Sequence, residues 1–335
     1  MFGLDMGKTF VTGGTGHVGA NLVRALLERG EVVKALVRTK GDPALFGLEL
    51  EEVVGDLRDE PSIVRAMRGC DRVYHLAACV SLAAGAQREI FEINVCGTKH
   101  VMSACLQAGV ERVVFCSSFG AVGRAPDGGP SDEACALDPF DTDLDYDLSK
   151  CMAELEVHRA CASGLHAVIV NPSGVVGPWD WKPSSLGKTV IDFARRRLPA
   201  YVPGSFELVA MRDVIAGHLL AMESGRAGQR YILSGGLCTV DELLDELERI
   251  TGEARPRLCL PRGVLMPVAL VASALMHRFS PRTPQRFSPG MLRMLGREKR
   301  ARTDKAQREL GYRPTSVFAA LREQYEWFRE RRIIA

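Results

Sequence analysis

The sequence predicts an α/β fold with a doubly wound parallel sheet, followed by a smaller α+β region. From residue 8 to about residue 175, short apolar segments alternate with amphipathic segments of helical period. Segments that are apolar throughout are typical of parallel strands covered by helices on both faces. A glycine-rich turn joins the first strand to the first helix, which is where such a sheet receives a dinucleotide.

The predicted elements of this first half alternate in order. Strands are predicted over 9–12, 32–37, 52–54, 72–76, 112–116 and 166–170, and helices over 18–29, 62–67, 94–107 and 148–163. After Pro172 the pattern changes to loops with Pro, Gly and Trp. Thr239 and Glu242 form a capping-box pattern that predicts a helix running to Gly252, and another helix is predicted over 317–331. We predict a dinucleotide-binding (Rossmann) domain over 1–175 and a substrate-binding region over 176–335, with residues 231–234 returning to the main sheet.

Charge and cysteine content narrow the classes of function. The 43 Lys and Arg residues nearly balance 41 Asp and Glu residues, and a net charge of +2 gives no electrostatic case for a nucleic-acid partner. The basic cluster at 293–302 is predicted to be a solvated face. The ten cysteines are dispersed without Cys-x-x-Cys spacing, and residues 1–8 have no signal pattern. We expect a cytoplasmic protein with reduced core cysteines and no metal site.

An apolar stretch covers residues 264–276 and contains Pro267. It is shorter than the ~20 residues that span a bilayer. Its simplest interpretation is a buried helix. A wall or lid over a lipophilic substrate, or a peripheral contact with a membrane surface, remains open because basic residues flank it.

Gly13, Gly16 and Gly19 follow the first strand at the spacing G-x-x-G-x-x-G. The first glycine allows a tight turn, the second lets the backbone approach a pyrophosphate, and the third lets the helix pack closely on the strand. The start of the helix then presents free N–H groups to the phosphates. The spacing therefore predicts a dinucleotide site.

Further motifs occur in a fixed order along nearly the whole chain. Together with Tyr-x-x-x-Lys, they make the sequence resemble the extended short-chain dehydrogenase/reductase family, in the branch of dihydroflavonol-4-reductase-like and 3β-hydroxysteroid-dehydrogenase-like enzymes. The motifs are Gly55-Asp56-Leu57, His75-Leu76-Ala77-Ala78, Asn94 with Gly97-Thr98, Ser117-Ser118, Tyr146 with Ser149-Lys150, Asn171-Pro172 with Val175 and Gly177-Pro178, and Arg212-Asp213-Val214.

The resemblance implies a set of residues that contact the cofactor. It places Asp56 and Leu57 at the adenine, residues 76–78 along the phosphate and ribose path, and residues 172–175 near the nicotinamide, although Asp56 could instead form a turn and the alanines could be packing residues. The cofactor-binding set is Gly13, Thr15, Gly16, His17, Val18, Gly19, Arg38, Lys40, Asp56, Leu57, Leu76, Ala77, Ala78, Tyr146, Lys150, Pro172, Ser173 and Val175.

Two cations follow the second strand, where an enzyme that prefers NAD usually has a carboxylate. Arg38 offers a planar fork suited to the 2′-phosphate of NADP(H), and Lys40 adds charge. We expect NADP(H) to be preferred. NAD(H) stays open, since Arg38 could stack on adenine.

Tyr146 and Lys150 lie four residues apart and share one face of a predicted helix. The charge of Lys150 is expected to lower the phenol pKa so that Tyr146 exchanges a proton near neutral pH. The resemblance makes Lys150 a ligand of the nicotinamide ribose and Ser118 the catalytic serine, with Ser117 the weaker candidate. Asn94 either acts directly or caps its helix.

The substrate is predicted to be a lipophilic carbonyl compound. Phe119 and Gly120 occupy the places where sugar-nucleotide dehydratases of the family carry an acidic pair. The expected pocket is apolar, although its side chains could equally be core; it comprises Phe119, Val122, Trp179, Trp181, Phe206 and residues 264–276.

The predicted function is NAD(P)H-dependent ketone reduction, and secondary metabolism is a setting compatible with it. Two alternatives remain: an NAD(P)-dependent sugar-nucleotide epimerase or isomerase, and a non-catalytic dinucleotide sensor, which would not need Ser118, Tyr146 and Lys150. By analogy with the family, a homodimer through the helices at 94–107 and 148–163 is expected.

Overall fold

A seven-stranded, fully parallel sheet forms the centre of the computed structural model, which describes residues 7–80, 86–136, 142, 144–279, 289–296 and 299–334. The strand order is β10-β6-β5-β4-β1-β2-β3. The chain moves outward from β1 to β3 and then crosses to β4 on the other side of β1, so the β1/β4 boundary is the switch point at which such sheets bind ligands. The strands are β1 Thr9–Thr12, β2 Val33–Val37, β3 Glu51–Val54, β4 Arg72–His75, β5 Arg112–Cys116, β6 Ala167–Pro172 and β10 Arg230–Leu233.

Helices cover both faces of this sheet. One core cluster, with Met67, Met102 and Val157, lies under α2, α4 and α5. The other, with Leu22 and Ile215, lies under α1, α7 and α11. The helices are α1 His17–Glu28, α2 Glu60–Met67, α3 Gln87–Phe91, α4 Gly97–Ala108, α5 Asp145–Ala162, α7 Met211–Ser224 and α11 Asp304–Leu310. The predicted fold class is confirmed.

The C-terminal region has its own core and two small sheets. One is formed by β11 Gly236–Thr239, β9 Ser205–Ala210 and β7 Gly174–Val176, and the other by β12 Leu258–Cys259 and β8 Ala200–Tyr201. Its helices are α6 Ser185–Ala194, α8 Val240–Thr251, α9 Arg262–Phe279, α10 Pro289–Leu295 and α12 Val317–Glu330.

The predicted capping box is present at the start of α8, where the side chains of Thr239 and Glu242 each bond the backbone of the other. The predicted return of residues 231–234 is also confirmed, since β10 pairs with β6. The division at residue 175 stays a prediction, and β10, α7 and α11 beyond it belong to the main sheet.

The buried-helix interpretation of residues 264–276 is wrong for the part whose side chains are described. The helix α9 continues through Pro267 and exposes Val264, Val268, Leu270 and Val271. Only one side is packed, since Leu265, Met266 and Ala269 contact the C-terminal core.

Candidate active site

The loop between β1 and α1 forms a cradle made of backbone. Gly13 has a φ of 76°, and a Cβ at this position would collide with the backbone of Ala77. Gly19 lies directly against the carbonyl oxygen of Gly13. A Cβ on Gly16 would meet only that oxygen among the described residues, at 3.3 Å, and Gly16 caps α1 without a side chain. The free N–H groups and the open space fit the phosphates of a dinucleotide.

The His17 side chain is engaged by the segment that follows β7. Its Nε2 lies 3.0 Å and 3.1 Å from the carbonyl oxygens of Gly177 and Pro178, and so it ties the loop to the segment after β7. Thr15 is half-buried in the loop, and Val18 packs on the sheet. A cofactor contact by His17 would therefore use its backbone.

The carboxyl end of β4 runs beside the glycine loop. The amide of Leu76 donates to the carbonyl of Thr12 at 3.1 Å, and that of Ala77 donates to the Thr12 hydroxyl at 3.3 Å. Residues 76–78 are half-buried along the cradle. The other predicted contact residues lie at or after strand ends or, for Val175, within a strand. Leu57 follows β3, Pro172 ends β6, Ser173 comes next, and Val175 lies within β7.

Beneath this edge His75 is fully buried between two threonines. Its Nδ1 lies 2.6 Å from Thr12 Oγ1 and its Nε2 3.0 Å from Thr98 Oγ1. Burial, assisted by the charge of Lys150, lowers the pKa of His75 to about 3, so the ring is neutral at physiological pH. Among the described residues, no group of His, Cys, Asp and Glu is placed to hold a metal ion.

The residues that follow β2 and β3 include three cations and one carboxylate. Arg38 and Lys40 are exposed directly after β2. Asp56, which follows β3, accepts hydrogen bonds from Arg58 at 3.0 Å and 2.6 Å. That guanidinium and, more weakly, Arg38 lower the pKa of Asp56 to about 2. Asp56 is therefore ionised and paired with Arg58. Arg38 and Lys40 remain accessible to an anionic ligand.

Ser118, Tyr146 and Lys150 meet where β5 ends against α5. The Ser118 hydroxyl lies near the Tyr146 phenol and acts to lower its pKa. Ser118 Oγ also accepts from the amide of Gly120 at 3.1 Å, which fixes its orientation. Lys150 Nζ is buried and donates to the carbonyl of Cys116 at 2.7 Å. These three groups form a potential proton-donating site at the carboxyl edge of the sheet.

The expected low pKa of Tyr146 is wrong for this structure. Burial raises the pKa well above its ordinary value, Cys116 and Asp147 raise it further, and the nearby Ser118 hydroxyl only partly opposes them. Burial also lowers the pKa of Lys150. Desolvation disfavours both charged forms, and so Tyr146 is a neutral phenol at pH 7.

Asn94 holds the active-site helix to the loop after β4. It lies in a π-helical turn, Glu92–Cys96, where Nδ2 donates to Ser149 Oγ at 2.9 Å and to the carbonyl of Cys79 at 3.0 Å. Its Oδ1 accepts from the amide of Cys79 at 2.7 Å. Every polar atom of the amide is engaged, so Asn94 is a positioning residue and not a helix cap.

A buried carboxylate that the sequence interpretation missed lies one turn beyond Lys150. Glu154 accepts from the Ser117 hydroxyl and, at 2.7 Å, from Asn171 Nδ2. Its other oxygen faces Arg230 at 3.3 Å. Asn171 also donates to the carbonyl of Ser118 at 3.0 Å. Glu154 thereby connects α5 to the carboxyl ends of β5 and β6 and to the first residue of β10. The Ser117 hydroxyl is occupied with this structural bond.

The predicted apolar contact residues separate into different environments. Phe119 and Val122 are buried together with Ile232, and Val122 is completely buried, so it packs as core. Trp179 stacks with Trp181 and Trp327 and lies under Arg24. Phe206 is half-buried in the C-terminal core. Any substrate contact by these residues stays a prediction.

Lys299 is a second residue that the sequence interpretation missed. It belongs to the basic cluster predicted to be a solvated face, but its Nζ donates to the carbonyl of Phe119 at 2.8 Å and to that of Val122. It also lies 4.3 Å from the Phe119 ring. Prediction and structure differ because Phe119, the partner of Lys299, lies 180 residues away along the chain. The local density of charge in the sequence does not reveal such a distant partner. Arg300 and Arg302 are exposed as expected.

Comparison with known proteins agrees with this geometry. The sequence model of the NAD dependent epimerase/dehydratase family matches residues 9–234, which include the glycine loop and all three catalytic candidates. The chain belongs to this family. The predicted relation to extended short-chain dehydrogenase/reductases is therefore confirmed, and the protein is an NAD(P)-dependent oxidoreductase of the epimerase/dehydratase family.

Individual members of the epimerase/dehydratase family match along nearly their full length. Sterol demethylase protein B of Methylococcus capsulatus is 47% identical over 97% of this chain and 99% of its own. A provisionally named dihydroflavonol 4-reductase of Synechocystis is 39% identical, with 95% and 94% covered. A 3-beta-hydroxysteroid dehydrogenase of Mycolicibacterium neoaurum is 30% identical, with 92% and 88% covered. These relatives confirm the predicted branch.

A solved structure shows the same architecture. The crystal structure of gox2253 superposes with a TM-score of 0.84 at 37% identity, covering 96% of this chain and 98% of that chain. The agreement extends over both the main sheet and the C-terminal region.

Proposed function

We propose that the protein is an NADPH-dependent reductase of a lipophilic, polycyclic ketone. The observation that carries this proposal is the proximity of Ser118, Tyr146 and buried Lys150 at the carboxyl edge of the sheet, beside the glycine cradle. Ser118 and Tyr146 can polarise a carbonyl oxygen and protonate it.

The raised pKa of Tyr146 favours the role of acid. A phenol that is neutral at pH 7 carries the proton that a ketone oxygen must receive. Ser118, oriented by the amide of Gly120, would donate to the same oxygen as negative charge develops there. When bound, a reduced nicotinamide cofactor supplies the hydride for the carbonyl carbon. One hydride and one proton then convert the ketone to a carbinol.

The residues that would hold this cofactor lie along the cradle. The backbone from Gly13 to Gly19 would receive the phosphates, and Lys150 would face the nicotinamide ribose. The exposed pair Arg38 and Lys40 supports NADPH, because cations after β2 suit a 2′-phosphate, whereas the nearby carboxylate of Asp56 is engaged by Arg58.

The apolar surroundings support a substrate without phosphate groups. Phe119 and Gly120 follow Ser118 where a dehydratase would need acidic side chains. The names of the relatives point to sterols, steroids and flavonoid ketones. We infer a fused-ring ketone of sterol-like shape as the substrate class.

The test is a spectrophotometric assay of the purified protein with NADPH or NADH. The substrates are a 3-ketosteroid, an aromatic ketone and a nucleotide sugar. Loss of reduced-nicotinamide absorbance with the ketosteroid is expected, and Tyr146→Phe should abolish it while cofactor binding persists. Turnover of the nucleotide sugar without net oxidation would instead establish an epimerase. Cofactor binding without any turnover would favour a dinucleotide sensor.

A further inference from the structure

The outward side of α9 is apolar along its first three turns. Val264, Val268 and Val271 are 63%, 60% and 62% exposed. They are spaced four and three residues apart, so they lie on one stripe of the helix. Gly263, Pro267 and Leu270 are also exposed and complete this outer face, which contains no charged residue.

The opposite side of α9 is firmly packed. Ala269 and Ser273 are buried, and Leu265 and Met266 contact the core cluster that includes Phe206. The helix therefore cannot turn its valines inward without abandoning this packing. A surface helix ordinarily carries polar residues outward, and a contiguous exposed apolar patch marks an interaction site.

The segment that contains α9 is strongly basic in a chain that is otherwise acidic. Residues 254–303 hold eleven basic residues and one acidic residue, Glu298. Subtracting these from 43 and 41 leaves 32 basic and 40 acidic residues elsewhere. The net charge of this segment is thus +10, whereas the net charge of the rest of the chain is −8. Two of its described cations, Arg257 and Arg262, are exposed next to the N-terminal end of the outer face.

We propose that the outer face of α9 docks the protein on an anionic membrane surface. Apolar side chains enter the boundary between headgroups and acyl chains, while neighbouring arginines bind anionic headgroups. The contact is peripheral: within the described residues, every helix is too short or too polar to cross a bilayer. A symmetric contact between two copies of this face would bring two strongly positive segments together, which disfavours a second copy as the occupant.

This docking also brings the substrate region toward the membrane. The inner side of α9 packs in the same cluster as Phe206, a residue of the predicted pocket, so docking would hold this residue near the bilayer in which a lipophilic ketone dissolves. Delivery of substrate in this way rests on the proposed function. Membrane binding itself does not rest on the proposed function. Vesicle binding and ketone reduction can therefore fail separately.

Vesicle co-sedimentation of the full chain tests the proposal. Vesicles of phosphatidylcholine with about one third phosphatidylglycerol are expected to bind the protein, and pure phosphatidylcholine should bind it less, because the arginines then lack anionic partners. Added salt should weaken binding by screening. Val268→Glu should reduce binding by roughly tenfold or more, since it places a charge in the apolar contact.

Val32→Glu is the matched control, because Val32 is 50% exposed directly before β2, a strand of the main sheet and not of the C-terminal region that contains α9. It should bind vesicles like the unmodified protein, and circular dichroism should show both variants folded. Equal binding by both variants would overturn the proposal. A lack of vesicle binding would also overturn it. If Val268→Glu then changed the protein from an oligomer to a monomer, a second copy would occupy this face. If the variant changed only turnover, the helix would act as a lid.

Discussion

Glu154 accepts a hydrogen bond from Asn171 at 2.7 Å and faces Arg230 at 3.3 Å, which joins the active-site helix to two strands of the sheet. The carboxylate is 5% exposed and the guanidinium 17%. Since Asn171 also donates to the carbonyl of Ser118, the network helps to position this proposed catalytic serine.

Glu154→Gln is expected to destabilise the protein, because it leaves the charge of Arg230 without its buried partner. Losses on the order of 3 kcal/mol are typical of such changes. Urea unfolding measures the loss, and a double-mutant cycle with Arg230→Gln should show that the two effects are not additive. Simple additivity would contradict the coupling.

Gly13→Ala is expected to weaken cofactor binding as well as stability. The new Cβ would meet the backbone of Ala77, and alanine would be strained at a φ of 76°. Gly30→Ala is the matched control, since Gly30 has a φ of 78° with open space around it. The control should lose only about 1 kcal/mol of folding free energy. Fluorescence titration with NADPH separates the variants, and equal affinities would refute the role of the cradle.

Arg38→Ala tests the cofactor preference. Removing the guanidinium should lower affinity for NADPH by roughly tenfold or more, since a charge-assisted contact with a phosphate is lost, while NADH binding changes little. Dissociation constants for both cofactors decide this. An equal loss for both would place Arg38 at the adenine and not at the 2′-phosphate.

The stability of the fold should fall in acid partly through His75. Its pKa is about 3 in the folded protein, against an ordinary value of 6.5, so between these limits the unfolded chain binds more protons. The stabilisation is complete above pH 6.5 and declines toward pH 3, with a slope of up to about 1.4 kcal/mol per pH unit. His75→Gln should unfold with a shallower dependence on pH over this window. An unchanged slope would argue against a buried neutral ring. His218, with a pKa of about 4, and Asp56, with a pKa of about 2, contribute slope in both proteins.

Local patterns predicted the main sheet and the groups of the site that depend on short spacing. Gly13, Gly16 and Gly19 lie in one turn, and Tyr146 and Lys150 lie on one helix face, so sequence distance determines their geometry. The partners of Glu154 and Lys299 come from distant strands and loops, and nothing in the local sequence identifies them.

Two other differences have equally physical causes. The direction in which the Tyr146 pKa shifts depends on how deeply the phenol is buried. The four-residue spacing between Tyr146 and Lys150 does not reveal this burial. The apolar run at 264–276 predicted a helix correctly, but composition cannot tell which side of it faces solvent. The homodimer through α4 and α5 stays a prediction.

The central claim is net transfer of a hydride to a ketone, and isotope transfer measures it directly. The protein is incubated with NADPH carrying deuterium at the transferred position of C4 and a 3-ketosteroid, and the product is analysed by mass spectrometry and NMR. The account predicts a carbinol with one deuterium on the carbinol carbon and no transfer by Tyr146→Phe. Label that remains entirely on the cofactor, while a nucleotide sugar is isomerised under the same conditions, would contradict it.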